Sequence, residues 1–155
     1  MLDSSTDLKS MLSDPSLLQT RAFINNQWVD AENEATFDVK NPARGDVIAQ
    51  VADLTRTDLA RAISGAEIAQ KKWAAISAKE RSNILRAWYN LMMENQADLA
   101  KILTAEMGKP LAESMGEIAY GSSFVEFFAE EAKRNYGETI PGHQADKRLT
   151  VIKQP

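Results

Sequence analysis

The segment Glu106-Met107-Gly108-Lys109-Pro110 lies between two helical patterns and sets where one stops and the next starts. Glycine commonly occupies the left-handed position that ends a helix, so Gly108 predicts a helix end at Met107. Proline is tolerated in the first turn of a helix, so Pro110 predicts a second start. This second helix is expected to run from about Pro110 to Tyr136, because Gly137 would supply the next stop.

Upstream of this segment the sequence predicts further helices. Apolar residues recur at helical spacing from Leu59 to Trp73 and define one face. The pattern Ser77-x-x-Glu80 is a capping box and predicts the start of the next helix. A third helix follows Asn95-Gln96, so the chain is expected to contain about four helices.

The large apolar residues of these helices are expected to form the core. In the second helix the predicted buried stripe comprises Ile84, Leu85, Trp88, Leu91 and Met92. In the last helix it comprises Phe124, Phe127 and Phe128, which lack the interleaved arginines of a base-stacking platform.

Short strands are predicted before the helices. Asn25-Asn26 separates two short apolar runs, and asparagine tolerates positive φ, so a tight hairpin is expected there. Alternation predicts a strand over residues 36–40, a turn at Asn41-Pro42-Ala43, and a partner strand over residues 47–51. A final strand is expected to begin at Arg148. From the residues alone, the chain is an α+β domain.

Composition excludes several classes of function. The chain has 155 residues, a net charge of −4, no cysteine and one histidine. It therefore lacks a thiol nucleophile and Cys-type zinc ligands, and its charge disfavours nucleic acid as a partner. No apolar run approaches the roughly 20 residues of a membrane span. Residues 1–20 resemble neither a secretory signal nor a mitochondrial presequence, so we expect a short leader and a cytoplasmic protein.

Three sequence patterns that could form a catalytic or binding site are better explained as ordinary surface or loop residues. Glu113 and Glu117 lie four apart on a predicted helix and could pair, but a solvated face is the simpler interpretation. Gly108-Lys109-Pro110 lacks the frame of a phosphate-binding loop. His143 has no nucleophile or second histidine near it in sequence. The residues alone therefore identify no site.

Several short segments, in the same order and with similar spacing over more than a hundred residues, resemble the aldehyde dehydrogenase superfamily. They include Asn41-Pro42-Ala43, Glu106-Met107-Gly108-Lys109-Pro110, and Tyr136 through Gly142. The stretch from Ile140 to Pro155 is most similar to the bacterial succinate-semialdehyde dehydrogenase group, with the glutarate-semialdehyde group second.

The resemblance implies a fold and a division of the chain. The whole enzyme would be α/β, and this chain its amino-terminal third. Residues 1–20 would be a leader, 21–147 the first part of the NAD(P)-binding domain, and 148–155 the start of an oligomerisation strand. Because the sequence stops within that strand, we expect a truncation at Pro155. The parent would form homodimers or homotetramers.

The resemblance also implies a reaction, in which succinate semialdehyde is oxidised to succinate with NADP or NAD as acceptor. Family members use a cysteine nucleophile and a glutamate, which would lie beyond Pro155. This chain would thus hold no catalytic or cofactor-binding residue and be inactive alone. Tyr120 would line the substrate channel, and the Val39 carbonyl and Glu106 would help bind a monovalent cation.

Two alternatives remain open at this stage. The parent could be a glutarate-semialdehyde dehydrogenase or another aldehyde dehydrogenase. The chain could instead be a non-catalytic helical interaction module that assembles with other subunits. Either way, helices with wide apolar faces and no sheet beneath them are expected to be marginally stable on their own.

Overall fold

The structure is a computed structural model that describes residues 4–154. Within that range the chain forms five α-helices and six short strands. In chain order they are α1 (Ser4–Met11), β1 (Ala22–Ile24), β2 (Gln27–Val29), β3 (Thr36–Lys40), β4 (Val47–Ala52), α2 (Arg56–Ala75), α3 (Ala78–Glu94), α4 (Gln96–Met107), α5 (Leu111–Glu131), β5 (Glu138–Pro141) and β6 (Arg148–Val151). Single 3-10 turns occupy Pro15–Leu17 and Ala132–Arg134.

The strands form three separate antiparallel hairpins, β1–β2, β3–β4 and β5–β6. The predicted Asn25-Asn26 turn is confirmed, since these residues have φ values of 52° and 65°. The predicted β3–β4 pair is also confirmed. Its register shifts between Val39 and Lys40, so the ladder is locally interrupted by a bulge.

Local capping explains where the helices begin and end. At α3, Ser77 accepts a hydrogen bond from the backbone N–H of Glu80, whose carboxylate accepts from the Ser77 N–H, as predicted. At the end of α4, Gly108 is left-handed with φ 75°, which confirms the predicted stop. A methyl group on Gly108 would lie 2.9 Å from Cγ of Pro42. The α4–α5 junction therefore packs directly against the β3–β4 turn.

Helices α3 and α4 both pack against α5, through small residues. Ala100 and Ser114 at the α4–α5 contact are fully buried, as is Ala129 farther along α5. The hydroxyls of Thr104 and Ser114 hydrogen-bond at 2.8 Å. Across the α3–α5 contact, Arg86 donates to Glu126 at 2.6 Å, a pairing that the sequence did not predict.

The main apolar cluster lies at the leader rather than in the helical stripes. Leu8, Leu12 and Leu18 pack with Ile48 of β4 and are each no more than 9% exposed. The leader is therefore part of the folded body.

Two sequence predictions about the C-terminal part were wrong. Helix α5 ends at Glu131, followed by a 3-10 turn, rather than continuing to Tyr136. Gly137 is not a left-handed helix stop; it is needed because a methyl group there would lie 2.2 Å from the Val151 carbonyl oxygen. Strand β5, which pairs with the predicted β6, was not anticipated.

The predicted buried stripes were also largely wrong for this chain. Trp88, Phe127 and Phe128 are 55%, 56% and 58% exposed. Ile84, Leu91 and Phe124 are exposed as well, whereas Leu85 and Met92 are half-buried. The periodicity located the apolar faces correctly, but nothing among residues 4–154 covers them. None of the described helices has the length and apolar character needed to cross a bilayer.

Candidate functional site

An open aromatic surface on α5 contains the predicted channel residue Tyr120. Its side chain is 66% exposed, and its ring meets Phe124 edge to face with centroids 4.9 Å apart. One turn further on, Phe127 and Phe128 pack edge to face at 5.3 Å. These four exposed aromatic rings on α5 form an apolar surface, called here the aromatic wall.

The two predicted cation ligands lie on elements that contact the leader cluster. Val39 packs against Leu8, Leu12, Leu18 and Ile48, as do Ile102 and Ala105 of α4. Glu106 follows Ala105 in the last turn of α4 and is exposed. Val39 pairs with Ala49, and the register of the β3–β4 ladder shifts immediately after it. The fold thus brings both elements to one cluster.

A groove lies beside the contact between the β3–β4 turn and the α4–α5 junction. Its volume is 340 Å³, and its lining includes Met11, Asn41, Lys101, Gly108 and Leu111. Asn41 shapes the wall because its side-chain oxygen accepts from the backbone N–H groups of Ala43 and Arg44, at 2.9 and 3.2 Å. The lining side chains are mostly apolar and form one open side of the molecule.

Two buried carboxylates, Asp98 and Asp58, each link a loop to a helix. Asp98 is 4% exposed; one oxygen accepts from the Asp14 N–H at 2.8 Å and the other from Lys101 at 2.9 Å. Hydrogen bonding from Lys101, with the backbone N–H of Asp14, lowers the pKa of Asp98. Asp98 is therefore held as an anion that ties the leader to α4.

The second buried carboxylate, Asp58, lies in the first turn of α2. It is fully buried and accepts from the Thr55 N–H at 2.9 Å, the Thr55 hydroxyl at 2.8 Å and Arg61 at 2.8 Å. The Thr55 backbone bond, followed by the hydroxyl, lowers the pKa of Asp58. The Glu32 N–H also donates to it at 3.2 Å, which links the loop after β2 to the helix. Asp58 was not predicted from the sequence, although Thr55-x-x-Asp58 is a variant of the capping box.

The remaining charged candidates are surface groups, as expected. Glu113 and Glu117 are both exposed, and Glu117 pairs with Lys109. His143 is exposed in the β5–β6 loop. Among the side chains of residues 8–154, no three His, Cys, Asp or Glu lie together as metal ligands. The described residues thus provide an apolar wall, a groove and structural anions, without a nucleophile and its base.

Comparison with known proteins identifies the type of protein to which these features belong. The sequence model of the aldehyde dehydrogenase family matches residues 28–155. Glutarate-semialdehyde dehydrogenase of Pseudomonas putida is 57% identical over 144 residues, which is 93% of this chain and 30% of that protein. Succinate-semialdehyde dehydrogenase (NADP+) of Escherichia coli K12 is 56% identical over 144 residues, with the same shares.

A solved structure gives the same result. The crystal structure of an NADP-dependent enzyme of E. coli superposes with a TM-score of 0.89 at 55% identity, covering 91% of this chain and 29% of that one. The chain therefore spans about 30% of the length of the curated relatives it matches.

Proposed function

The chain belongs to the aldehyde dehydrogenase family, and from that premise we propose that it forms the amino-terminal part of an NAD(P)-dependent semialdehyde dehydrogenase. The observation that carries the proposal is the near-equal identity to a glutarate- and a succinate-semialdehyde dehydrogenase, 57% and 56%. The substrate class is thus a short aldehyde with a carboxylate at its far end. Residues 21–147 would belong to the cofactor-binding domain and 148–155 to an oligomerisation strand.

In this proposal the chain lines part of the substrate channel and supplies none of the reacting groups. It contains no cysteine, so the thiolate that attacks the aldehyde would come from elsewhere in the enzyme. The NAD or NADP cofactor would accept the hydride. We expect the isolated chain to oxidise no aldehyde.

Tyr120 is proposed as a residue of the substrate channel. Its exposure on the aromatic wall of α5 supports this role, since an uncovered tyrosine ring can face a tunnel when the rest of the enzyme is present. Val39, through its carbonyl, and Glu106 are proposed as two ligands of a monovalent cation. Their support is the shared apolar cluster and the bulge beside Val39. Oxygen donors of this kind suit a hard cation.

Reconstitution from two pieces tests the proposal directly. The chain would be co-expressed with the part of the E. coli succinate-semialdehyde dehydrogenase that it does not span. Reduction of NADP+ and NAD+ would be followed with succinate and glutarate semialdehydes. We expect activity with the pair and none with either piece alone. In the active pair, Tyr120→Ala should lower kcat/KM for the semialdehyde several-fold, whereas Tyr136→Ala, at a tyrosine that is also exposed, should not.

A control is needed to interpret a failure of this chain to restore activity. The relative's own amino-terminal segment, supplied in trans, shows whether reconstitution works at all. If that segment restores activity and this chain binds without restoring it, the chain is an interaction module. If this chain neither binds nor restores activity, the assignment to a semialdehyde dehydrogenase is wrong.

A further inference from the structure

The end of the leader helix is held by a charged pair on α4. Lys101 donates to the carbonyl of Met11, the last residue of α1, at 2.7 Å. Asp98, three residues earlier on α4, accepts from the backbone N–H of Asp14 at 2.8 Å. A cation therefore binds the carbonyl end of α1, and an anion binds the N–H group that follows it. Each charge faces the backbone dipole that it complements.

The chain beyond this point continues to bind the body. Asp14 caps the next turn by accepting from the Ser16 N–H at 2.9 Å. Leu18 then enters the cluster with Leu8, Leu12 and Ile48. The carbonyl of Thr20 finally accepts from the Ala52 N–H at 2.9 Å, at the end of β4. The leader thus crosses from α4 to the β3–β4 hairpin.

We propose that residues 8–18 act as a strap that fastens the β3–β4 hairpin to α4, and that Asp98 and Lys101 are its clasp. The family match begins at residue 28, whereas the 144-residue matches to the two curated relatives extend upstream of it. With the strap fastened, Leu8 and Met11 line the groove beside the β3–β4 turn and the α4–α5 junction. Release of the clasp opens the groove on that side and frees the hairpin that carries Val39.

The geometry explains why a pair is needed rather than one residue. The Asp98 carboxylate is buried, so its two oxygens must both be satisfied, one by the strap backbone and one by Lys101. Lys101 in turn bridges Asp98 and Met11. Removing Lys101 leaves one oxygen of the buried Asp98 carboxylate without this partner, and removing Asp98 takes the acceptor from the Asp14 N–H. In either case the free energy that holds the strap is lost locally.

Limited proteolysis of the full chain tests the strap. Lys9 is exposed within α1, and trypsin cuts there only when the strap opens. We expect Asp98→Asn and Lys101→Met to speed cleavage after Lys9 on the order of tenfold or more, because bonds to charged groups are lost and cleavage follows the open population. Cleavage after Arg134, at the far end of α5, serves as the internal reference and should be unchanged.

Lys109→Met is the matched control. Lys109 is also paired with an acid, and its side chain is 23% exposed against 26% for Lys101, but its partner is Glu117 on α5. It should leave cleavage after Lys9 at the wild-type rate. Wild-type cleavage after Lys9 in both clasp variants would overturn the proposal. So would equal acceleration after Lys9 and Arg134, because the pair would then support general stability rather than a strap.

Discussion

Single residues decide how the elements of this chain meet, and Gly108 is the clearest case. It combines a left-handed backbone, φ 75°, with a 2.9 Å approach of Pro42 to the position of a methyl group. A glycine in the middle of α5 is not constrained in this way. A methyl group on Gly121, inside α5, would have nothing within 4 Å.

We therefore expect opposite effects from the same substitution at these two sites. Gly108→Ala should destabilise the chain by about 1–2 kcal/mol from the left-handed backbone alone, with a further cost from Pro42. Gly121→Ala should stabilise it by up to about 1 kcal/mol, because alanine is the better helix former. Urea unfolding followed by circular dichroism measures both. Similar signs for the two variants would mean that Gly108 is not strained as described.

Asp58 predicts a dependence of stability on pH. Its pKa in the folded chain is lowered from 3.8 by hydrogen bonds from Thr55. The stabilisation is therefore present above the unfolded pKa and is lost as pH falls through the lower folded value. The difference in unfolding free energy between wild type and Asp58→Asn should be largest near neutral pH and shrink towards pH 3. A constant difference across pH 3–7 would rule out this source of acid sensitivity.

At the scale of elements, the capping residues make the helices begin where they do. Ser77 caps α3 by accepting from the Glu80 N–H. Ser64 lies inside α2 and is exposed, and its hydroxyl donates only to the Ala60 carbonyl. Ser77→Ala should cost about 1 kcal/mol, whereas Ser64→Ala should be neutral or stabilise by a few tenths of a kcal/mol. Amide exchange in the first turn of α3 and the middle of α2 measures each effect locally.

The elements also show which features a sequence can predict. Turns and caps depend on neighbouring residues, so Asn25-Asn26, Ser77 and Gly108 were predicted correctly. The end of α5 was not, because Gly137 is required by the distant Val151 carbonyl rather than by helix geometry. The Asp98–Asp14 contact likewise joins residues 84 positions apart and leaves no local pattern. Tyr120, Val39 and Glu106 came from the family resemblance, and their roles stay predictions.

On the scale of the whole molecule, large apolar faces remain uncovered. On α2, Leu59 and Ile63 lie on one face and are 57% and 60% exposed. They add to the exposed rings of α3 and α5, so the isolated chain should bind hydrophobic dyes and unfold over a broad, concentration-dependent transition. A sharp, reversible melt of a clean monomer would contradict this expectation.

A lysine on the exposed apolar face of α2 should have opposite effects on two properties, the solubility of the isolated chain and its assembly with the rest of the enzyme. Ile63→Lys should reduce dye binding and aggregation of the isolated chain while its helix content is retained. The same variant should fail to restore activity with the large piece of the E. coli relative. Ser64→Lys, which adds the same charge on the neighbouring polar side of α2, should restore activity as wild type does. Equal performance of the two variants would mean that this face stays exposed in the assembled enzyme.

The strap has a consequence for the order of events during synthesis. Asp14 must reach Asp98, which the ribosome adds 84 residues later. At about 5–20 residues per second, the nascent leader waits roughly 4–17 s before its anchor exists. Throughout that interval Leu8, Leu12 and Leu18 have no α4 to cover them, so they are open to chaperones. This segment thus reaches its native contacts only after residue 98 has been made.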